Sequence, residues 1–122
     1  MNQPAATPAY MFIFRHDDRM AKVPPVELKR YFQLWMDWVA VLQAEGRYIG
    51  GDPLEDSPAK VVRGDKGITI TDGPYLEAKE VVGGYLLIRA GSLAEAVEIS
   101  RGCPGLRQGG SVEIRQVQPI PH

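Results

Sequence analysis

The longest periodic pattern in the chain is a run of apolar residues that follows Pro24-Pro25 and ends before Gly46. The apolar positions recur at alternating four- and three-residue steps, which predicts an amphipathic helix that begins with proline in its first turn. The steps fall on Leu28, Phe32, Trp35, Val39 and Leu42, and the neighbours Tyr31, Leu34, Trp38 and Val41 widen the apolar stripe. The stripe covers about half of the helix circumference, which is more than packing on one sheet usually requires.

Short β-branched and aromatic runs, separated by glycine, proline and aspartate, predict the strands. The clearest of them is 81–90, where Gly83-Gly84 would allow a bulge or a close approach of another backbone. A second helix is expected over 92–101, because Ser92 and Glu95 have the spacing of a capping box. The other expected strands are 10–15, 48–49, 60–63, 68–71 and 112–118.

The order of these elements is strand, long helix, strand pair, strand, short helix, strand. This order is typical of a ferredoxin-like α+β domain, a split βαβ sheet with two helices on one face. The chain of 122 residues is long enough for one such domain, which we expect over 10–118. Residues 1–9 are small, polar and proline-bearing, so we expect a disordered N-terminal segment there. Residues 119–122 are expected to form a short C-terminal tail.

The sheet face away from the helices is expected to be apolar. Period-two alternation places Tyr85 and Leu87 on that face of the central strand and Val117 on that face of the last strand. Because two helices cover only one face, these residues predict pairing of two copies into a homodimer.

Ionisable residues are expected to gather at one end of the sheet. If the first and third core strands run parallel and the last runs antiparallel to them, then Arg15 or His16, Arg89 and Glu113 share one strand end, with Arg115 on the same face as Glu113. Such a group predicts a ligand site, in which the arginines favour an anionic ligand. Ordinary surface ion pairs are the alternative. Parity does not decide whether Arg15 or His16 points inward, since a one-residue register shift exchanges them.

The amino-acid composition argues against several classes of function. The formal net charge is −1, which argues against a general nucleic-acid binder, and a single cysteine excludes an internal disulfide and a multi-cysteine zinc site. The apolar runs are too short to span a membrane, and residues 1–9 lack the features of a signal peptide. The expectation is a soluble cytoplasmic protein.

His16 is the candidate general base, with Asp17 and Asp18 beside it in the sequence. A solvated histidine at a strand end is the alternative. Asp72 lies in a charge-dense segment before the central strand, and it is either a second candidate base or a turn residue that bonds backbone amides.

The tryptophans, the cysteine and the glycine-rich segments give weaker indications of function. Trp38 is expected at the rim of a pocket or at an interface, and Trp35 in the core. Cys103 follows the C-terminus of the second helix, where a thiolate is not favoured, so we expect a structural cysteine. No spacing of ligands predicts a metal, and no glycine-rich loop predicts a nucleotide or another cofactor.

The segment Asp72-Gly73-Pro74-Tyr75, continuing as E-A-K-E-V-V-G-G-Y, resembles the YCII-related family in the branch named for its D-G-P-F motif, with tyrosine in place of phenylalanine. The resemblance covers 10 to about 118. Further similar segments are Y-M-F-I-F-R (10–15), G-G-D-P-L (50–54), A-V-E-I-S-R-G-C-P (96–104) and G-G-S-V-E-I-R (109–115).

The resemblance implies a ferredoxin-like domain that dimerises into an α/β barrel. A better-understood branch resembles a lyase or dehydrochlorinase, with a histidine near the start of the first helix and an aspartate before a proline after the second. Here 24–30 contain no histidine, and Cys103 precedes Pro104. The D-G-P-F branch is often found beside sigma factors of the extracytoplasmic type, which implies a regulatory or accessory role linked to transcription.

The sequence therefore predicts a homodimeric small-molecule-binding or accessory protein with an anionic or aromatic ligand. An enzyme of the lyase or dehydrochlorinase type that uses His16 or Asp72 is the alternative. The predicted ligand-binding residues are Arg15, Trp38, Arg89, Glu113 and Arg115.

Overall fold

The computed structural model describes residues 7–17, 23–56, 58–73 and 81–121 of the chain. The strands and helices follow the expected order, with a short 3₁₀ helix, Pro104–Gln108, before the last strand. The elements are β1 (Ala9–His16), α1 (Pro25–Ala44), β2 (Tyr48–Pro53), β3 (Ala59–Gly64), β4 (Ile68–Gly73), β5 (Val81–Arg89), α2 (Leu93–Ser100) and β6 (Ser111–Gln116).

The core of the fold is a four-stranded sheet in the order β2-β5-β1-β6, in which every pair of neighbours is antiparallel. β3 and β4 form a separate two-stranded sheet, also antiparallel. This mixed α+β architecture is consistent with the predicted ferredoxin-like arrangement.

The predicted direction of the third core strand was wrong. β5 runs antiparallel to β1, so that Ala9 pairs with Arg89 and His16 pairs with Val81. β1 and β2 run parallel to each other on either side of β5 and are joined through α1. Arg89 therefore lies at the opposite end of the sheet from Arg15 and His16.

Aromatic side chains of β1 fill the layer between the sheet and the helices. Phe12 has no exposed surface, and its ring stacks on Trp38 at a centroid distance of 6.3 Å. Phe14 meets Trp35 edge to face at 4.8 Å. The buried core cluster contains residues of both helices, which places the helices on the same face of the sheet; its members are Tyr10, Phe12, Phe14, Leu42, Leu86, Ile88, Ala90, Ala96 and Cys103.

The wide apolar stripe of α1 is only partly covered. Leu42 is buried, and Trp35, Trp38 and Val39 pack against the core from positions that are half-buried. Leu28 and Tyr31 are half-buried, and three large apolar residues of the stripe stay exposed, which are Leu34 at 43%, Phe32 at 52% and Val41 at 53%. One sheet therefore leaves part of this stripe uncovered, as its width predicted. No helix in the described part of the chain combines the length and the apolar character needed to cross a bilayer.

The start of α2 confirms the predicted cap. Ser92 Oγ accepts a hydrogen bond from the Glu95 backbone N–H, and the Glu95 carboxylate accepts from the N–H of Gly91 rather than from that of Ser92. The Gly91 N–H and the Arg47 guanidinium lower the pKa of the Glu95 carboxyl group. Arg47 thereby ties the start of β2 to the start of α2, at the sheet end that also holds Arg89.

Candidate functional site

A cavity of about 700 Å³ lies between α1 and the sheet, beside β2 and β5. This volume is within the range that small-molecule sites usually have. Its deep wall is apolar and is built by Phe14, Trp35, Leu86 and Cys103. Its solvent side is flanked by exposed residues, which are Phe32 and Met36 on α1 and Asp52, Pro53, Leu54, Glu55 and Asp56 at the end of β2 and in the loop after it.

Two glycines of β5 shape the floor of this cavity. The register between β1 and β5 shifts so that Phe14 pairs with Gly84 and Arg15 pairs with Val82, which leaves Gly83 as the extra residue of a bulge. A Cβ atom at Gly83 would lie 2.5 Å from Cδ2 of His16, and one at Gly84 would lie 2.9 Å from the carbonyl oxygen of Asp52. The predicted bulge and close backbone approach at Gly83-Gly84 are thus confirmed, and they make room for the His16 ring.

His16 lines the cavity, and both of its ring nitrogens are close to oxygen atoms. Nδ1 is 2.7 Å from the backbone carbonyl oxygen of Asp17, and Nε2 is 3.2 Å from Oδ1 of Asp56. A carbonyl oxygen only accepts hydrogen bonds, so Nδ1 carries the hydrogen of this contact. Nε2 is therefore the ring nitrogen that faces Asp56.

The backbone carbonyl of Asp17 orients the ring through this contact. Asp18 lies outside the described residues. The partner of Nε2 is Asp56, which is 40 residues away in the sequence. Its distance along the chain explains why sequence reasoning missed it, since no local spacing points to it.

Arg15 borders the cavity, but its guanidinium forms an ion pair with a strand neighbour. Nη1 of Arg15 is 2.6 Å from Oε1 of Glu113, and Arg115 lies 3.6 Å from the other oxygen of the same carboxylate. Glu113 and Arg115 are not among the residues that line the cavity. The predicted group at this strand end therefore exists as an ion-pair cluster, which is the alternative that the sequence left open.

Three further candidates lie away from the cavity. Arg89 donates from Nη1 to the carbonyl oxygen of Thr7, at the other end of the sheet. Trp38 belongs to the aromatic cluster under β1 and does not line the cavity, whereas Trp35 does, so the expected roles of the two tryptophans are exchanged. Asp72 is exposed on the β3–β4 hairpin, where its carboxylate pairs with Lys60. None of the three is placed to act in this cavity.

Cys103 forms part of the apolar wall of the cavity and is not placed to act as a nucleophile. Burial raises the pKa of its thiol to about 11, although the backbone N–H groups of Gly105 and Leu106 act in the opposite direction. A thiol with this pKa stays protonated near neutral pH. Its environment fits the structural cysteine that the sequence predicted.

The charged residues among the described lining are Asp52, Glu55 and Asp56 and the basic residues Arg15 and His16. The carboxylate of Asp52 accepts a hydrogen bond from the Tyr85 hydroxyl on the sheet face away from the helices, so it does not enter the cavity. Since Arg15 is paired with Glu113, the local charge does not favour the anionic ligand that the predicted arginine pair suggested. Within the described residues no group of three or more histidine, cysteine or acidic side chains is arranged to hold a metal ion.

Fold and site together define an α+β domain with an antiparallel sheet, two helices on one of its faces, and a ligand-sized cavity between sheet and long helix. The family model of the YCII-related domain matches residues 10–121, and the chain belongs to the YCII-related family. No curated protein matches the sequence. Pro74 and Tyr75 of the D-G-P-Y segment lie outside the described residues, and membership of the D-G-P-F branch stays a prediction.

Proposed function

We propose that this protein binds a small molecule with a planar apolar body in the cavity between α1 and the sheet. The observation that carries the proposal is the cavity itself, whose volume of about 700 Å³ suits a compound of drug-like size. Its inner surface is rich in aromatic side chains, and polar residues such as His16, Gln43 and Gln108 are also part of its lining. A pocket of this composition binds the apolar part of a ligand and orients its polar part.

The aromatic wall supports a planar ligand in particular. Phe14, Trp35 and Tyr31 line the cavity and meet one another edge to face, with centroid distances of 4.8 and 6.2 Å. Burial raises the pKa of the Tyr31 hydroxyl, so it remains a neutral hydrogen-bond donor. Rings held in this way offer both faces and edges to another aromatic ring.

Phe32 supplies the exposed aromatic side of the cavity, so Phe32→Ala is expected to weaken binding of an indole probe about tenfold. Isothermal titration with indole, tryptamine and indole-3-acetate measures this. Val41→Ala is the matched control, because Val41 is an α1 residue of almost equal exposure, 53% against 52%, outside the cavity lining. The proposal fails if none of the three probes binds, or if both variants bind all of them like the natural sequence.

We further propose that the working unit is a homodimer formed through the open face of the sheet. Met11, Ile13, Tyr85 and Leu87 lie half-buried on that face, and Val117 is 41% exposed beside the last strand. No helix of the described chain covers these residues. An apolar sheet face of this kind is stable in water when a second copy covers it, and such pairing would build the α/β barrel that the resemblance implies.

We also propose an accessory role beside a sigma factor, which is supported by one sequence resemblance alone. It rests on the resemblance of the segment that begins at Asp72, and 74–80 of that segment lie outside the described residues. Ligand binding is therefore the function for which we argue.

One observation favours an enzyme as the second candidate function. The Asp17 carbonyl fixes the tautomer of His16, which leaves Nε2 at the cavity as a base with Asp56 beside it. Such a base would remove a proton from an acidic carbon of a bound carbonyl compound and return it to the same carbon.

The expected result is exchange of the α-protons of phenylacetone in heavy water, followed by NMR. His16→Gln should lower the exchange rate at least 100-fold, because glutamine accepts no proton at neutral pH. Asp72→Asn is the control, since Asp72 is exposed on the hairpin. Exchange that equals the buffer rate, or that survives in His16→Gln, would remove this candidate.

A further inference from the structure

We infer that the ligand of this cavity is a neutral planar compound with an oxygen acceptor on its ring system, as an aryl ketone has. The inference rests on the proposed function, and it names the class of ligand for the same site. The observation behind it is one hydroxyl group of the cavity wall, that of Tyr31, which lies beside the short 3₁₀ helix. A hydrogen-bond donor in a largely apolar wall orients a ligand and selects for a complementary acceptor.

Gly105 of the 3₁₀ helix marks the position of this hydroxyl. A Cβ atom at Gly105 would lie 3.2 Å from Cζ2 of Trp35 and 3.4 Å from Oη of Tyr31. The same point is 3.6 Å from Sγ of Cys103. All four residues line the cavity. The Tyr31 hydroxyl therefore lies in a wall made of an indole ring, a thiol and the bare backbone of a glycine.

The hydrogen of the Tyr31 hydroxyl is available for a ligand. Burial raises the pKa of the hydroxyl above its ordinary value of 10.0, and a hydrogen bond from Trp35 acts in the opposite direction. An indole N–H only donates, so the tyrosine oxygen accepts from it and keeps its own hydrogen to give. Among the described residues no acceptor takes that hydrogen.

The groups around this hydroxyl do not compensate a charge on the ligand. Burial raises the pKa of the Cys103 thiol to about 11, so the thiol stays uncharged near neutral pH. The guanidinium of Arg15 is held by Glu113 at 2.6 Å. A carboxylate placed against Tyr31 would lose its hydration without meeting a cation, and one hydrogen bond does not offset that loss. A neutral carbonyl oxygen avoids this cost.

The position of the hydroxyl fits an oxygen that is bonded directly to the planar body of the ligand. The rings of Tyr31 and Trp35 meet at an interplanar angle of 81°, with a centroid distance of 6.2 Å. A ligand ring that packs on the indole therefore has the tyrosine at its edge. An oxygen in the plane of that ring lies in the direction of the O–H group, as the oxygen of a cyclic aryl ketone does.

The test compares 1-indanone with indane by isothermal titration, because the two compounds differ by one carbonyl group. 1-Indanone is expected to bind about tenfold more tightly than indane. Tyr31→Phe should weaken 1-indanone about tenfold and leave indane unchanged. Indane-1-carboxylate is expected to bind more weakly than 1-indanone, because its charge finds no partner in the wall.

The infrared band of the ligand carbonyl reports the hydrogen bond itself. 1-Indanone labelled with carbon-13 at the carbonyl should absorb at lower frequency in the natural protein than in Tyr31→Phe, because the donated hydrogen weakens the C=O bond. Tyr85→Phe is the matched control, since the Tyr85 hydroxyl bonds Asp52 on the sheet face away from the helices. It should change neither the affinities nor the band.

Three results would overturn the inference: equal binding of 1-indanone and indane, a carbonyl band that is the same in Tyr31→Phe, or tightest binding of the carboxylate. The proposed function survives any of them if a probe still binds and Phe32→Ala weakens it. Absence of binding for the indane and the indole probes alike overturns both.

Discussion

Leu87→Asp is expected to convert the proposed dimer into a monomer. Leu87 lies near the C-terminal end of β5 on the open sheet face, where a carboxylate would be buried without a partner at the proposed interface. Burying an unpaired charge costs several kcal/mol, so the dimer dissociation constant should rise at least 100-fold. Sedimentation velocity at tens of micromolar measures the change.

Val62→Asp is the control for this substitution. Val62 is 61% exposed and lies on the β3–β4 hairpin opposite Ile70, away from the four-stranded sheet. This variant should remain a dimer and should unfold at the same urea concentration as the natural sequence. A natural protein that sediments as a monomer, or a Leu87→Asp variant that stays dimeric, would contradict the proposed interface.

Phe12→Ala is expected to lower the free energy of unfolding by about 3–5 kcal/mol. Phe12 has no exposed surface and stacks on Trp38, so its removal leaves a void between β1 and α1. That loss is a large part of the 5–15 kcal/mol that usually separates folded and unfolded domains. Urea denaturation followed by far-UV circular dichroism measures it.

Phe32→Ala is the matched control, because the same chemical change is made on a ring that is 52% exposed. It should cost about 1 kcal/mol or less, which also keeps the variant folded for the binding experiment. Equal losses for the two substitutions would contradict the packing described for the aromatic cluster.

Local chemistry accounts for the part of the fold that was predicted correctly. The spacing of apolar residues in α1 depends only on helical geometry, and it predicted both the helix and the incomplete cover of its stripe. The cap at Ser92 and Glu95 is likewise a contact between residues three positions apart. Gly83-Gly84 predicted a bulge because only residues without a side chain allow such close approach.

Strand direction and depth in the core depend on contacts between distant parts of the chain. Arg89 was placed beside Arg15 because a periodic pattern carries no information about the direction of a strand. The two tryptophans of α1 both belong to its apolar half, and the position of β2 and β5, not their spacing, decides that Trp35 rather than Trp38 lines the cavity.

Part of the lining of the candidate site was named from the sequence. His16 was named from the sequence, and the bulge at Gly83 brings its ring to the cavity while Arg15 pairs with Glu113. Asp56 was missed because it reaches His16 only through the fold of the loop after β2.

Mapping of the bound probe by NMR tests the central claim most directly. In a titration of labelled protein with tryptamine, the largest shift changes should fall on the side chains of His16, Phe32 and Trp35, which line the cavity. The side chains of Leu87 and Arg89, on other parts of the sheet, should stay unchanged. Shift changes confined to Leu87 and the open sheet face would contradict the account, because the ligand would then lie outside the cavity.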